Sequence, residues 1–171
     1  AVWTLPPAAA RVRSMAPNWR PFSFGCAVTE PRGASGSEQG SGTAAEALAL
    51  EPGGPVILNR VDGKALGVGT FNPHALIAFR AFSTEAGVVV DTAFVEARLR
   101  RALGLRERLF AEPFYRLVHA EADGLPGLVA DRFGDVLVVQ VTTAGMERLL
   151  PDVLAAAADV LAPEAVVLRN D

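Results

Sequence analysis

HAEADGLPGLVADRFGDVLVVQVTTAGMER, residues 119–148, decides how the rest of the chain is read. It holds two β-branched, apolar runs, LVADRF and DVLVVQVT, bounded by Asp123-Gly124-Leu125-Pro126-Gly127 and by Gly134-Asp135. Glycine reaches positive φ at no steric cost, proline fixes its own φ, and a short aspartate carboxylate accepts from nearby backbone amides. Both boundaries are therefore turns, and the runs between them are strands. Asp123 and Asp131 are expected to satisfy backbone amides beside these turns. FYRLVHA, just upstream, adds a third strand. Downstream, Thr143 is placed to cap a helix, and Pro151 fits a first helical turn, where the missing N–H costs nothing. The regular part should then run through VLAAAADVL to about Ala162, and AVVL reads as a last strand.

Working back toward the start, the apolar period changes at Asp91. Val95, Leu99, Leu103 and Leu109 with Phe110 fall on one helical face, Glu96, Arg100 and Glu107 lie elsewhere on the wheel, and Asp91 is a suitable N-cap. Residues 84–171 thus read as helix, three strands, helix, strand. Before them, PVILNRV and KALGVGTF are two strands joined at Asp62-Gly63, where Gly63 supplies the positive φ of a tight hairpin turn. Asn72-Pro73 breaks the chain, and LIAFRAF has the β-branched and aromatic content of a third strand. GASGSEQGSGT, residues 33–43, has no apolar side chain larger than alanine to pack and is expected to be a flexible loop. The fold class is α+β, with a β-rich unit over 1–83 and an α+β unit over 84–171.

With 171 residues, half of them hydrophobic, the chain can bury a core. No apolar run is long enough to span a bilayer, and AVWTLPPAAARVR lacks the apolar stretch of a secretory signal, so no membrane is expected and the cytoplasm is the expected compartment. Cys26 is the single cysteine and forms no internal disulfide; it reads as a small hydrophobe, with no local signature of a catalytic Cys/His pair. His74 and His119 are too few for a metal site, which needs three or four converging donors.

Net charge is -3, but unevenly spread: residues 1–83 carry seven basic and five acidic residues (+2), and the remainder nine basic and fourteen acidic (-5). Fifteen of the sixteen basic residues are arginine, whose planar fork suits phosphate, although a codon bias produces the same excess. Arg98, Arg100, Arg101, Arg106 and Arg108 crowd one helix. They suit either RNA phosphates or, interleaved with Glu96 and Glu107, a solvated face. Gly67-Val68-Gly69 is the nearest approach to a dinucleotide-binding glycine motif, yet it enters a strand and an Asn-Pro turn rather than a helix, so a structural role is expected.

Residues 119–148 are similar to the central signature of bacterial class I S-adenosylmethionine (SAM)-dependent methyltransferases that modify C5 of cytosine in large-subunit ribosomal RNA. LRND, residues 168–171, resembles the triplet that closes the central domain of that family. VDGKALGVGTFNPHALIAFRAFS looks like the last strands of the family's N-terminal PUA-type RNA-binding domain, with Gly67, Gly69, Phe71, Asn72 and Pro73 in place. The resemblance covers residues 54–171. Earlier, the family's His-Pro-Trp-x-Phe segment stands here as Arg20-Pro21-Phe22-Ser23-Phe24, and its basic opening is reduced to Arg11 and Arg13.

The resemblance implies a PUA-like barrel over 1–83, a central α+β linker domain over 84–171, and a catalytic domain, with its cysteine, absent from this chain. No catalytic residue is then expected here. SAM would serve the full-length protein and not bind this chain, and ribosomal RNA would be the partner. Arg11, Arg13, Arg20, Lys64 and Arg80 are the candidate RNA contacts, since such domains hold RNA by shape and phosphate. Charged side chains around a rigid turn can also form a polar contact surface, which makes Asp123, Asp131 and Arg132 candidates for docking the catalytic domain or lining the RNA path. Two other functions fit the residues: a non-enzymatic RNA-binding protein, and a protein-interaction module whose acidic second unit meets a basic partner.

Overall fold

The computed structural model describes residues 26–29, 49–60 and 62–169. Their strands form two four-stranded sheets. In the first, β1 (Cys26–Thr29), β2 (Gly54–Arg60), β3 (Ala65–Phe71) and β4 (Phe79–Ser83) pair in sequence order, all antiparallel. The β2–β3 turn is the expected hairpin: Gly63 has φ +81°, Gly63 N–H donates to Arg60 O, and the Asp62 carboxylate accepts from Lys64 N–H at 3.1 Å. Gly67 (φ +156°) and Gly69 flank an irregularity in the β3–β4 ladder. A Cβ on either would overlap a carbonyl of β4, Ser83 O or Arg80 O respectively, so this glycine pair permits close backbone approach within a sheet. The described strands form an open row, and the expected early loop at 33–43 lies outside the described residues.

One strand begins later than its composition suggests. Residues 75–78 belong to the turn after Asn72-Pro73, which closes through Asn72 N–H to Ala78 O at 2.8 Å. Leu76 and Ile77, expected in the third strand, stand instead 94 % and 56 % exposed. The β propensity of a residue reports fit to a pleated surface and cannot fix where the ladder starts.

The second sheet contains β5 (Phe114–His119), β6 (Leu128–Phe133), β7 (Val136–Val141) and β8 (Ala165–Leu168), in that order, antiparallel until β8 pairs in parallel with β7. A parallel neighbour requires a crossover, supplied here by α2 (Ala144–Arg148) and α3 (Leu150–Leu161). Thr143 caps α2, its hydroxyl accepting from Met146 N–H at 3.2 Å. The expected single helix is broken at Leu149, and Pro151 lies in the first turn of α3 rather than that of the capped helix. α3 ends at Ala162 in the left-handed conformation.

α1 (Thr92–Leu109) is capped by Asp91, whose Oδ1 accepts from Phe94 N–H at 2.9 Å. It buries Val95, Leu99 and Ala102 against β5 and α3, in a core shared with Leu117, Val118, Leu125, Leu128, Ala130, Leu137, Val139, Met146, Val153, Ala156 and Ala157. Burying the larger of these side chains contributes roughly 1.5–3 kcal/mol each. Leu109 does not join that face: it is 66 % exposed, and Phe110 leaves the helix to set its ring 5.4 Å from that of Tyr115.

The two sheets are tied together. Phe82 of β4 is buried in the main core, edge-on to Phe94 of α1 at 6.1 Å. Gly53 (φ +81°) and Gly145 have no room for a Cβ, the first against Ala144 backbone and the second against Thr70. Arg148 donates to Pro52 O at 3.1 Å and pairs with Glu51 at 2.6 Å.

Candidate nucleic-acid interface

Binding a polyanion requires positive charge that is neither consumed by carboxylates nor scattered. The side chains singled out from the sequence divide sharply by that criterion. Arg11, Arg13 and Arg20 lie outside the described residues, as does the Arg20–Phe24 segment. Lys64 projects from the exposed β2–β3 hairpin, with no ion pair to a described residue. Arg80, on β4, pairs with Glu121 in the turn after β5. Of the two candidates among the described residues, Lys64 sits at the hairpin tip and Arg80 faces the second unit.

The three candidates near residues 123–132 are engaged locally. Asp123 receives both terminal nitrogens of Arg106, at 3.0 and 2.7 Å, and its Oδ2 also accepts from His119 N–H at 2.7 Å. The expected backbone capping holds for Asp123. Asp131 instead takes Arg116 across the β5–β6 ladder, through Nε at 2.9 Å and a second nitrogen at 3.1 Å. The Asp131 hydrogen bonds, and secondarily its charge, hold the Arg116 guanidinium above its ordinary pKa. Arg132 donates to Gly134 O at 3.0 Å.

A concentration of free positive charge does exist, on the helix. Arg98, Arg101, Leu105 and Arg108 follow the exposed flank of α1 and face Glu121–Gly124, the short 3-10 turn (Ala120–Asp123) and its left-handed terminus at Gly124, across a groove of about 430 Å³. Residues three, four and seven apart share a helix flank, so this line follows from helical geometry. The same geometry turns Arg106 inward to Asp123 and lets Arg100 pair with Glu96 one turn away, at 2.9 Å. Hence the five helix arginines have different fates, which their crowding in the sequence does not separate. The missing signal is the position of residues 121–124 in space, set by β5 running back beside α1.

Among the described residues, no group of three or more His, Cys, Asp or Glu side chains could hold a metal ion, and no helix is long and apolar enough to cross a membrane. The single described βαβ crossover, from β7 through α2 and α3 to β8, is where a nucleotide-type cofactor such as SAM would be sought. Such sites need a glycine-rich first turn that admits the ligand to the backbone. The turn here is Thr142-Thr143, and the space beside Gly145 is filled by Thr70, so the described residues do not fit SAM.

No protein-family profile matches the chain. Among curated proteins, a ribosomal RNA large subunit methyltransferase I from Pseudoalteromonas translucida is 35 % identical over 122 residues, covering 70 % of this chain and 31 % of the relative. The protein of the same name from Shewanella denitrificans is 40 % identical over 90 residues, 51 % of this chain and 23 % of the relative. Among solved structures, a candidate SAM-dependent methyltransferase from Streptococcus mutans superposes with a TM-score of 0.61 at 16 % identity, over 70 % of this chain and 33 % of its own length. A methyltransferase structure complexed with S-adenosylhomocysteine gives the same figures. At that identity the likeness is one of fold. The chain is therefore similar, over 51–70 % of its length, to proteins named ribosomal RNA large subunit methyltransferase I, and it spans about a third or less of the length of these relatives.

Proposed function

We propose that this chain is the RNA-recognition and linker portion of a larger SAM-dependent methyltransferase acting on C5 of cytosine in large-subunit ribosomal RNA. The observation that carries this reading is the 35 % identity, over 70 % of the chain, to a protein named for methylation of that RNA. On this reading residues 1–83 form a PUA-like unit that holds RNA through Arg11, Arg13, Arg20, Lys64 and Arg80, and residues 84–171 carry the link to a catalytic domain outside this chain. The methyl group comes from SAM bound by that domain. The two-sheet architecture suits the role: its rigid second unit presents Asp131 and Arg132 on strands beside a turn, where a neighbouring domain can seat. The cytoplasm, where ribosomes are made, is the compartment the role requires.

The test is retention of large-subunit ribosomal RNA fragments by the purified 171-residue chain, measured by filter binding at two salt concentrations, beside calorimetric titration with SAM. Saturable RNA binding that weakens steeply with salt is the expected result, because counterion release accompanies phosphate contact. Saturable SAM binding by this chain, or no RNA retention at low salt, overturns the reading.

A further inference from the structure

We infer that the groove between α1 and the 120–124 turn is a binding site for the phosphodiester backbone of RNA, held by Arg98, Arg101 and Arg108. The inference rests on the RNA-binding reading above and, of the two roles that the sequence leaves open for the α1 arginines, assigns phosphate binding to three of the five and places them in one groove.

The charge balance of the groove comes first. Its lining contributes Arg98, Arg101, Arg108, Glu121 and Asp123. Glu121 is neutralised by Arg80 from β4, and Asp123 by Arg106 from within α1. Five guanidinium groups against two carboxylates leave +3, in a chain whose total is -3. None of Arg98, Arg101 and Arg108 forms an ion pair with a described residue. A surface that neutralises its carboxylates by arginines from outside the line, and leaves the line itself unneutralised, is built for an external anion.

Preorganisation comes second. Arg98 is not a free arm: its guanidinium carbon lies 4.9 Å from the centre of the Phe94 ring, and it also packs beside Gly124, where a Cβ would come within 3.3 Å of Nε. The head is thus restrained by packing against an aromatic ring and the backbone at Gly124. That is the disposition in which an arginine loses least entropy on gripping a phosphate. Arg108 is steered by its Nε–H to Gly104 O at 3.0 Å, which leaves the two terminal nitrogens for a ligand. Ten residues of α-helix separate Arg98 from Arg108, about 15 Å of rise, so the line can follow several consecutive phosphates rather than one isolated ion.

The experiment compares the 171-residue chain with the triple variant Arg98→Gln, Arg101→Gln, Arg108→Gln and with the corresponding triple lysine variant, using a large-subunit ribosomal RNA fragment as probe across a salt series. Removing three phosphate-binding side chains should make the slope of log K against log salt shallower by about 2 in the glutamine variant. The lysine variant, which keeps the charges, should retain most of that slope. It also serves where glutamines disturb the Arg98 packing, since Arg98→Lys removes the same packed guanidinium without removing charge. An unchanged slope in a folded glutamine variant overturns the groove while leaving RNA recognition by the chain intact. An equally shallow slope in both variants marks a packing effect and also overturns it. If the unmodified chain retains no RNA but binds polyglutamate through these arginines, the groove belongs to an acidic protein partner, and both readings fall.

Discussion

Arg106 of α1 and Asp123 of the turn after β5 grip each other through two parallel hydrogen bonds, with side chains only 13 % and 9 % exposed. The guanidinium Nε–H goes on to Arg116 O at 3.1 Å, and Asp123 Oδ2 accepts from His119 N–H, so one ion pair fastens the helix both to β5 and to the turn that follows it. Asp123→Ala strands a largely buried guanidinium, a loss of about 3 kcal/mol. Urea unfolding should show a lower midpoint with an unchanged slope. A change below about 1 kcal/mol would mean that water replaces the carboxylate, and that Asp123 is available for another partner.

Asp131 behaves oppositely. Its partner Arg116 is half exposed, and exposed pairs contribute little, so Asp131→Asn should change stability by less than about 1 kcal/mol. The raised pKa of Arg116 has a defined sign: a base strengthened on folding adds stability below its unfolded value and loses it only as pH rises through the folded one. That window is far into the alkaline range, so the Arg116 side of the pair contributes nothing to pH dependence near neutrality. Because folding should survive the change, loss of methylation by a longer protein carrying Asp131→Asn would report domain docking. Retained methylation would assign Asp131 to the sheet alone.

Much of the architecture is legible in the sequence because it is punctuated locally. Gly63, Gly124, Gly127 and Gly134 all adopt positive φ where turns are expected, and β6 occupies the whole of LVADRF. Asp91 and Thr143 cap the helices they precede. What escapes depends on distant neighbours. Leu109 has the right helical phase to be buried, but α1 extends beyond the core that would cover it. Arg98 and Arg106 look alike in the sequence, and only the return of β5 to α1 makes Arg106 a structural tie and Arg98 a lining of the groove. Arg80 reads as a cation open to RNA, whereas its partner Glu121 comes from a turn forty-one residues away.

The seam between the two sheets makes a third expectation. Gly145 packs on Thr70 with no space for a Cβ, whereas Gly63 meets nothing within 4 Å and needs only its left-handed φ. Gly145→Ala should therefore cost about 2–3 kcal/mol through overpacking, and Gly63→Ala about 1 kcal/mol through backbone strain. Thermal unfolding of the two variants should rank them in that order. The reverse order would mean that α2 lifts off β3 easily, and that the seam is not tightly packed.

Glu121 offers the reciprocal of the arginine substitutions, since it restrains the positive charge of the groove instead of supplying it. Its side chain is more than half exposed, and its pairing with Arg80 spans the two sheets at the surface, so Glu121→Gln should leave stability within about 1 kcal/mol. The same change releases Arg80, raises the groove from +3 to +4, and removes a carboxylate that repels phosphate. If RNA lies in the groove, its affinity rises, and the slope of log K against log salt steepens by up to about 0.7, one additional phosphate contact. Reduced affinity would show that Glu121 serves RNA by holding Arg80 in position. No change in either quantity would place the RNA path away from α1, on the Lys64 hairpin or beyond it.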